Sequence, residues 1–461
     1  MQPEFLFGNL RQLDLITSKK EIIDSYVHGL EKMRNRYGDV VQFWIGANHF
    51  YAFCRPEHAE QIYSARHIFD RAALRKNTFG LIAENALIAL MGPKYKRHAK
   101  AVLPMLRKNK FLSQISIMTN YVDQLIEIWK ERYENKDEII ATCIIDDNQQ
   151  LLLDVFTRLT FDYDFGNLKR LLESARQSNS AEIVGTSNFT AALITWLDAF
   201  KRVGTNGMPF LVNYYLLKFD KKYQNALKVL EISSLQQDES VEKFKSEEDQ
   251  TGITKKELLD EVLSLILGGF ETTASVISWM IYYLSKQPAI QQKMKNELKR
   301  NGITKETSLE DLDLSNQCEY IDCVIKETLR IAPLTIGSPR TITQDTVIDG
   351  IQLRQGENVL VAFSLMQNDR RYWNLDPSLF IPERFYGDDA PDRNHHPYVF
   401  SPFGNGHRVC VGQDLARLEL KVIVIRLMLF VTFADAPGNN GGHRQRLSIM
   451  PKELAVYMKF D

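Results

Sequence analysis

Cysteine is scarce in this chain: 461 residues hold five, Cys54, Cys143, Cys318, Cys323 and Cys410. An odd number spread so thinly is no disulfide framework, and it reads as the usage of a reduced, intracellular protein. An excess of charge is missing too, because 57 basic residues meet 58 acidic ones for a formal net charge of −1. No global field then draws the molecule to nucleic acid or to an acidic partner, and any electrostatic recognition is local. There is no internal repeat and no low-complexity segment. The opening MQPEFLFGNLRQLDLI lacks the basic start and unbroken apolar core of a secretory signal. The most apolar late run, LKVIVIRLMLFVTF, is interrupted by Lys421 and Arg426 and is too short for a bilayer of about 30 Å, so it reads as a buried helix.

What is present points to a globular protein of enzyme size. Hydrophobic side chains make up 44% of the chain and charged ones 25%, enough to bury a sizeable core. Alternation in DVVQFWIGANHFYAFCRP predicts a strand hairpin about Gly46–Asn48, most of the following sequence has helical spacing, and RLSIMPKELAVYMKF reads as short strands. The expected architecture is mainly α with small β-sheets. Length by itself suggests two or three domains, but the polar tract 233–252 is short and mixed in charge, a solvated loop between helices rather than a linker, and the expectation is one domain over residues 1–461.

After that tract, Thr254 with Glu257 three residues on forms a capping box, and Pro288 marks the far end of one helix of roughly thirty residues. It is apolar nearly all round, hence central. Its middle nevertheless holds Gly268 and Gly269 followed by Glu271, Thr272 and Thr273, and a glycine inside a helix costs about 1 kcal/mol relative to alanine. Two readings stand: packing through small residues with a threonine bonded back to the preceding turn, or a site where a ligand presses on backbone and protons move. Further on, Glu327 and Arg330 share a helix face among apolar neighbours, with Arg384 in FIPERF as a candidate third partner.

The stretch FSPFGNGHRVCVGQDLARLEL, residues 400–420, concentrates the chemistry. Gly404 and Gly406 permit a tight loop and let something broad and flat approach the backbone, and the following helix puts a positive dipole end near Cys410. These features favour a thiolate. Zinc needs more close cysteine or histidine than His407 supplies, and no partnered base for a nucleophilic cysteine is visible locally. A single thiolate on an iron whose other ligands come from a porphyrin fits best.

Over essentially its whole length the chain resembles the cytochrome P450 family of haem-thiolate monooxygenases. Phe403, Gly406, Arg408, Cys410 and Gly412 match the haem-loop motif, KETLR matches Glu-x-x-Arg, FIPERF supplies Arg384, and GGFETT matches the oxygen-activation segment of the central helix. The resemblance implies the P450 fold, with haem b between the long central helix and the cysteine loop. It implies Cys410 as the iron ligand, Phe403, Gly404 and Gly412 in the haem-binding loop, and Arg408 and Arg340 on the haem propionates. Where the family usually has a tryptophan and, four residues later, a basic residue, this chain has Tyr95 and Ala99; Arg97, His98 and Lys100 are the neighbouring candidates.

The activity so implied is insertion of one atom of O2 into an apolar organic substrate, with Thr272 holding a proton-delivering water and Glu271 connecting it to solvent. Substrate contacts are expected from the loop before Tyr95, from 155–225 and from 334–339. A haem-thiolate isomerase, lyase or peroxygenase would share Cys410 but need no proton relay, and a haem-binding sensor would need no catalysis at all. The implied electron source is an NADPH-dependent reductase or a ferredoxin-type donor. Residues 85–122 hold seven basic residues, Lys94, Lys96, Arg97, Lys100, Arg107, Lys108 and Lys110, and no acidic one, which makes them the candidate docking face. PEFLFGNL resembles the segment that follows the membrane anchor in eukaryotic relatives. The expectation is a chain without its anchor, associated with the endoplasmic reticulum membrane if one precedes it and cytoplasmic otherwise.

Overall fold

The computed structural model describes residues 26–461 apart from 46–47, 72–79, 81–82, 107, 135–139, 178–187, 206–209, 236–252 and 315. Most of the polar tract 233–252 and the tip of the expected N-terminal hairpin lie outside the described residues. The arms of that hairpin are β1 (Val40–Ile45) and β2 (Asn48–Phe53), antiparallel from Val40 opposite Phe53 to Ile45 opposite Asn48. Val41, Phe43 and Ile45 point into the core, as the alternating pattern requires. β3 (Phe69–Arg71), β4 (Ser338–Ile342) and β7 (Asn358–Val361) complete a five-stranded sheet in the order β1-β2-β7-β4-β3. Its edge pairing sets Arg71 opposite Arg340 and Asp70 opposite Thr341, which brings two distant segments of the site together. Two-stranded ribbons make up the rest: β5 (Thr346–Ile348) with β6 (Ile351–Leu353), β8 (Val431–Asp435) with β11 (Val456–Phe460), and β9 (Gly441–Gln445) with β10 (Ile449–Glu453).

Helices dominate. The central one spans Lys255–Ser285, 31 residues, and its capping box forms as the sequence predicts: Thr254 Oγ1 accepts from Glu257 N at 3.2 Å, and Glu257 Oε2 accepts from Thr254 N at 2.8 Å. Its register against the helix Ile144–Phe161 is set by a glycine, because a Cβ on Gly269 would lie 2.2 Å from the Phe156 ring. The neighbouring Gly268 has nothing within 4 Å of such a Cβ. The two glycines therefore have different causes, one close packing and the other an open helix surface. Among the described residues one helix is long and apolar enough to cross a membrane, Lys256–Ser285, and 78% of its most apolar window is buried inside the molecule. The late apolar run forms the buried helix Gln413–Phe430.

Glu327, Arg330 and Arg384 meet in the core with no side-chain exposure at all. Arg330 donates to Glu327 at 2.8 and 2.9 Å, and Arg384 Nε donates to both Glu327 oxygens at 3.0 Å. A fourth member, Asp392, takes Arg384 Nη1 at 2.6 Å and balances the charge. The Trp373 ring lies 5.3 Å from the Arg330 guanidinium and 5.5 Å from that of Arg384. Carbonyls of Gln367 and Leu375 take remaining guanidinium hydrogens, so the buried charges are both paired and hydrogen-bonded.

Two stability outcomes follow. Glu327→Ala leaves two guanidiniums short of a carboxylate in the core and is expected to cost about 3–5 kcal/mol in urea unfolding. Arg158→Ala, which breaks an exposed pair 3.2 Å long with Asp162, is expected to cost under about 1 kcal/mol. Similar costs for the two would show that the cluster is not a closed network. Gly269→Ala should lose about 1–3 kcal/mol by driving into Phe156, whereas Gly268→Ala should gain up to about 1 kcal/mol from helix propensity; the same unfolding experiment reads both.

Candidate active site

The segment that carries Cys410 folds as a loop closed on itself, with Cys410 N donating to Phe403 O at 2.9 Å. Gly404 and Gly406 adopt φ of +70° and +72°, and a Cβ on Gly406 would stand 2.6 Å from Tyr63 O, so that position is glycine for two reasons at once. Gly412 has ordinary backbone and serves as the N-cap of the helix that starts at Gln413. Cys410 thus sits just ahead of a helix N-terminus, where the dipole favours an anionic sulfur. No disulfide forms, and Cys410 is the one exposed cysteine. The other thiols are held protonated by burial: Cys54 and Cys323 are pushed up to about 12, Cys318 to about 11, and Cys143 is raised as well.

Beside the loop stand two buried guanidiniums. Arg408 donates from Nε and Nη2 to Asp70 Oδ1 at 2.9 and 2.6 Å, while its Nη1 is buried without a hydrogen-bond partner. Its guanidinium lies 3.3 Å from the centre of the Tyr95 ring, and Tyr95 OH donates to His407 O at 3.3 Å. Arg340, 1% exposed, donates to Ser338 Oγ, Pro339 O and Asn405 O. Burial, with Arg408 as a second cation nearby, pulls its guanidinium below the ordinary value. His407, also lowered by burial, contacts Asp70 at 3.5 Å. Asp70 bonds Arg408, Arg340 donates to a hydroxyl and two carbonyls, and Arg408 keeps an unsatisfied N–H in a buried place. That surplus of positive charge and donors fits a group bearing carboxylates, as haem does. The fit extends to the glycine loop that presents a single accessible sulfur.

The neighbourhood of Tyr95 settles which basic residues are committed elsewhere. On the helix Gly92–Val102, Arg97 pairs with Glu257, and His98, fully buried, bonds Glu261 through Nδ1 at 2.7 Å. Both tie this helix to the first turns of the central helix. Ala99 is buried, and Lys100 is exposed.

In the middle of the central helix, Thr272 Oγ1 donates to Gly268 O at 2.7 Å, the back-bond that helix packing alone would produce. Gly268 is exposed and Thr272 half-buried although the helix around them is core, so this turn also remains accessible. Glu271 differs from expectation. Its side chain has no exposure, so it does not open to solvent; Ser448 N and Oγ donate to Oε1 at 2.8 and 3.0 Å, and Oε2 has no partner. Burial raises its carboxyl above the usual range, with Ser448 opposing. Adjacent residues on a helix point about 100° apart, so Glu271 and Thr272 serve different surroundings. Sequence reasoning missed Asp70 and Ser448; they contact Arg408 and Glu271 across 338 and 177 residues, with no local signal.

Comparison with known proteins agrees with this geometry. A family model described as Cytochrome P450 matches residues 1–454. Among curated proteins, Cytochrome P450 3A14 of Cavia porcellus is 31% identical over 48% of this chain and 43% of its own length. Cytochrome P450 4V2 of Mus musculus is 25% identical over 84% of this chain and 76% of its own. Probable cytochrome P450 12b2, mitochondrial, of Drosophila melanogaster is 33% identical over 46% and 42%. The matched stretches therefore span less than half the length of two of these relatives. With the motif loop, the buried arginine cluster and a family match over nearly every residue, the chain belongs to the cytochrome P450 family, whose cofactor is haem b.

Proposed function

We propose that residues 1–461 form one catalytic domain, a monooxygenase that inserts one atom of O2 into an apolar organic substrate using electrons from a redox partner. The observation that carries this reading is Cys410, the accessible sulfur on a glycine-shaped loop at a helix N-terminus. When bound through a thiolate, haem b supplies the chemistry that cleaves the O–O bond and oxidises carbon. Cys410 Sγ is the ligand this chain offers, with Phe403, Gly404 and Gly412 shaping its loop. Arg408 and Arg340 would hold the carboxylates of the propionates, and the Tyr95 ring packs against the Arg408 guanidinium. Thr272 Oγ1 has its hydrogen engaged by Gly268 O, so its lone pairs are left to orient a water. Glu271, on a different face of the same helix turn and buried where its neutral form is favoured, is the group that holds a proton in reserve beside it.

The helix Gly92–Val102 exposes Lys94, Lys96 and Lys100 and touches the cysteine loop through Tyr95. This supports an acidic electron donor, an NADPH-dependent reductase or a ferredoxin-type protein, docking within a short distance of the site. Arg97 is withdrawn from that face by Glu257. The helix Phe210–Phe219 exposes Leu211, Tyr215, Leu216 and Phe219, at 65, 52, 55 and 74%, next to Lys218, Lys221 and Lys222. Such a face suits a membrane surface and supports an intracellular, membrane-associated protein, at the endoplasmic reticulum if an anchor precedes the chain and in the cytoplasm otherwise. Substrate contacts are assigned, by the family resemblance alone, to the loop before Tyr95, to 155–225 and to 334–339.

Cys410→His is expected to abolish the thiolate-type absorption band of the reduced, carbon monoxide-treated protein, while Cys318→Ser and Cys323→Ser keep it; a surviving band in Cys410→His would move the ligand to another cysteine. Thr272→Val should bind haem and substrate as before but divert electrons from product to peroxide, by about tenfold or more if the water is lost. Unaltered coupling would leave Thr272 a packing residue.

Charge reversal at Lys96 and Lys100 should slow reduction by the donor and flatten its salt dependence, by about tenfold in rate at low ionic strength. Stopped-flow reduction at two salt concentrations reads this, and equal kinetics with the native protein would remove the docking face.

A further inference from the structure

Glu271 sits in a closed ring of three side chains. Ser448 Oγ lies 3.0 Å from Glu271 Oε1 and 2.8 Å from Ser275 Oγ, and Ser275 Oγ lies 2.8 Å from the Glu271 carbonyl oxygen one turn back. Both serines are 1% exposed. The turn that carries Ser448 joins β9 to β10 and is itself anchored, with Ile449 N donating to Leu334 O at 2.9 Å and Trp279 Nε1 donating to Ile449 O at 3.0 Å. The hydroxyls therefore have fixed positions and only their hydrogens are free to turn.

Two hydrogen arrangements fit these distances. With Glu271 ionised, Ser448 Oγ–H donates to the carboxylate and Ser275 Oγ–H donates to Ser448 Oγ. With Glu271 protonated, the carboxyl O–H donates to Ser448 Oγ, Ser448 Oγ–H donates to Ser275 Oγ, and Ser275 Oγ–H donates to the Glu271 carbonyl. Each arrangement uses every hydroxyl hydrogen, and no heavy atom moves between them. In both, Ser448 N–H still donates to Oε1 at 2.8 Å. A carboxyl held by fixed donors alone would be satisfied in one charge state and strained in the other.

We propose that Ser448 and Ser275 are positioning residues that let Glu271 take up and release a proton without moving, by reversing the hydrogens of this ring. The proposal rests on the reading of Glu271 as the proton-holding acid of the monooxygenase. The charged groups around it are Arg446 in the turn and Arg444 on β9, which in turn face Asp198 and Asp146; Arg446 pairs with Asp198 at 3.8 Å. Burial raises the Glu271 carboxyl, and the Ser448 N–H and hydroxyl lower it. Removing the hydroxyl therefore raises it further, and its titration moves to higher pH.

The test follows the Glu271 carboxyl of the haem-loaded protein by pH-difference infrared spectroscopy, with Glu271→Gln identifying the band. Ser448→Ala should move the midpoint up by about one pH unit, a tenfold change in proton affinity. Ser448→Thr, which keeps the hydroxyl, should return it to the native value, and Ser275→Ala should move it up by a smaller amount. A midpoint unmoved in Ser448→Ala, or a Ser448→Thr midpoint as displaced as that of alanine, would overturn the ring. If Ser448→Ala does not fold, Ser275→Ala decides alone, and an unmoved midpoint there overturns the proposal. Peroxide released per electron in Glu271→Gln checks the underlying reading separately: native coupling would remove Glu271 from catalysis while leaving the titration result intact.

Discussion

A sulfur that stays accessible beside a buried core constrains almost everything near it. The Cys410 loop meets this by being pinned from four directions rather than by covering the sulfur. Gly406 lies against Tyr63 O, Phe403 O holds Cys410 N, Arg408 is tied to Asp70, and Tyr95 reaches His407. Each contact reaches a different segment: the helix Pro56–Ser64, the loop itself, β3 and the helix Gly92–Val102. The β3–β4 pairing that places Arg340 opposite Arg71 is therefore part of the same device, since it brings the second guanidinium beside the first. Fixed polar groups around a reactive atom lower the reorganisation that its chemistry would otherwise require.

The central helix carries the opposing demand, to be core and yet polar and open at one turn. It separates the two demands by face. Gly269 lets Phe156 pack closely, Gly268 leaves the surface open, Thr272 bonds back to Gly268 O, and Glu271 turns to the β9–β10 connection. A buried carboxyl with one unsatisfied oxygen is tolerable because burial itself favours its neutral form. The cluster of Glu327, Arg330, Arg384 and Asp392 solves the same difficulty differently, by pairing each carboxylate with a guanidinium.

The fold and the site were legible to different depths. The capping box at Thr254 and Glu257, the arms of the β1–β2 hairpin and the glycine loop before a helix could be read because each depends on residues within a few positions of one another. Glu327, Arg330 and Arg384 were readable as a group through their family motifs, yet Asp392 was not, since one buried aspartate looks like any other in sequence. The burial of Glu271 was not readable for a related reason. Residue type and helical period place a carboxyl on a helix, but exposure depends on what packs against that face.

By itself the sequence determined the sulfur and its loop, the glycines, the long capped helix and the family to which the chain belongs, because short-range backbone geometry and residue spacing write these directly. Only the tertiary structure decided that Asp70 neutralises part of the Arg408 charge, that Arg97 and His98 are taken by Glu257 and Glu261, and that Ser448 closes over Glu271. Those contacts are hydrogen bonds between segments 160 to 338 residues apart. Their partners are chosen by how helices and strands dock, and no spacing along the chain encodes that choice.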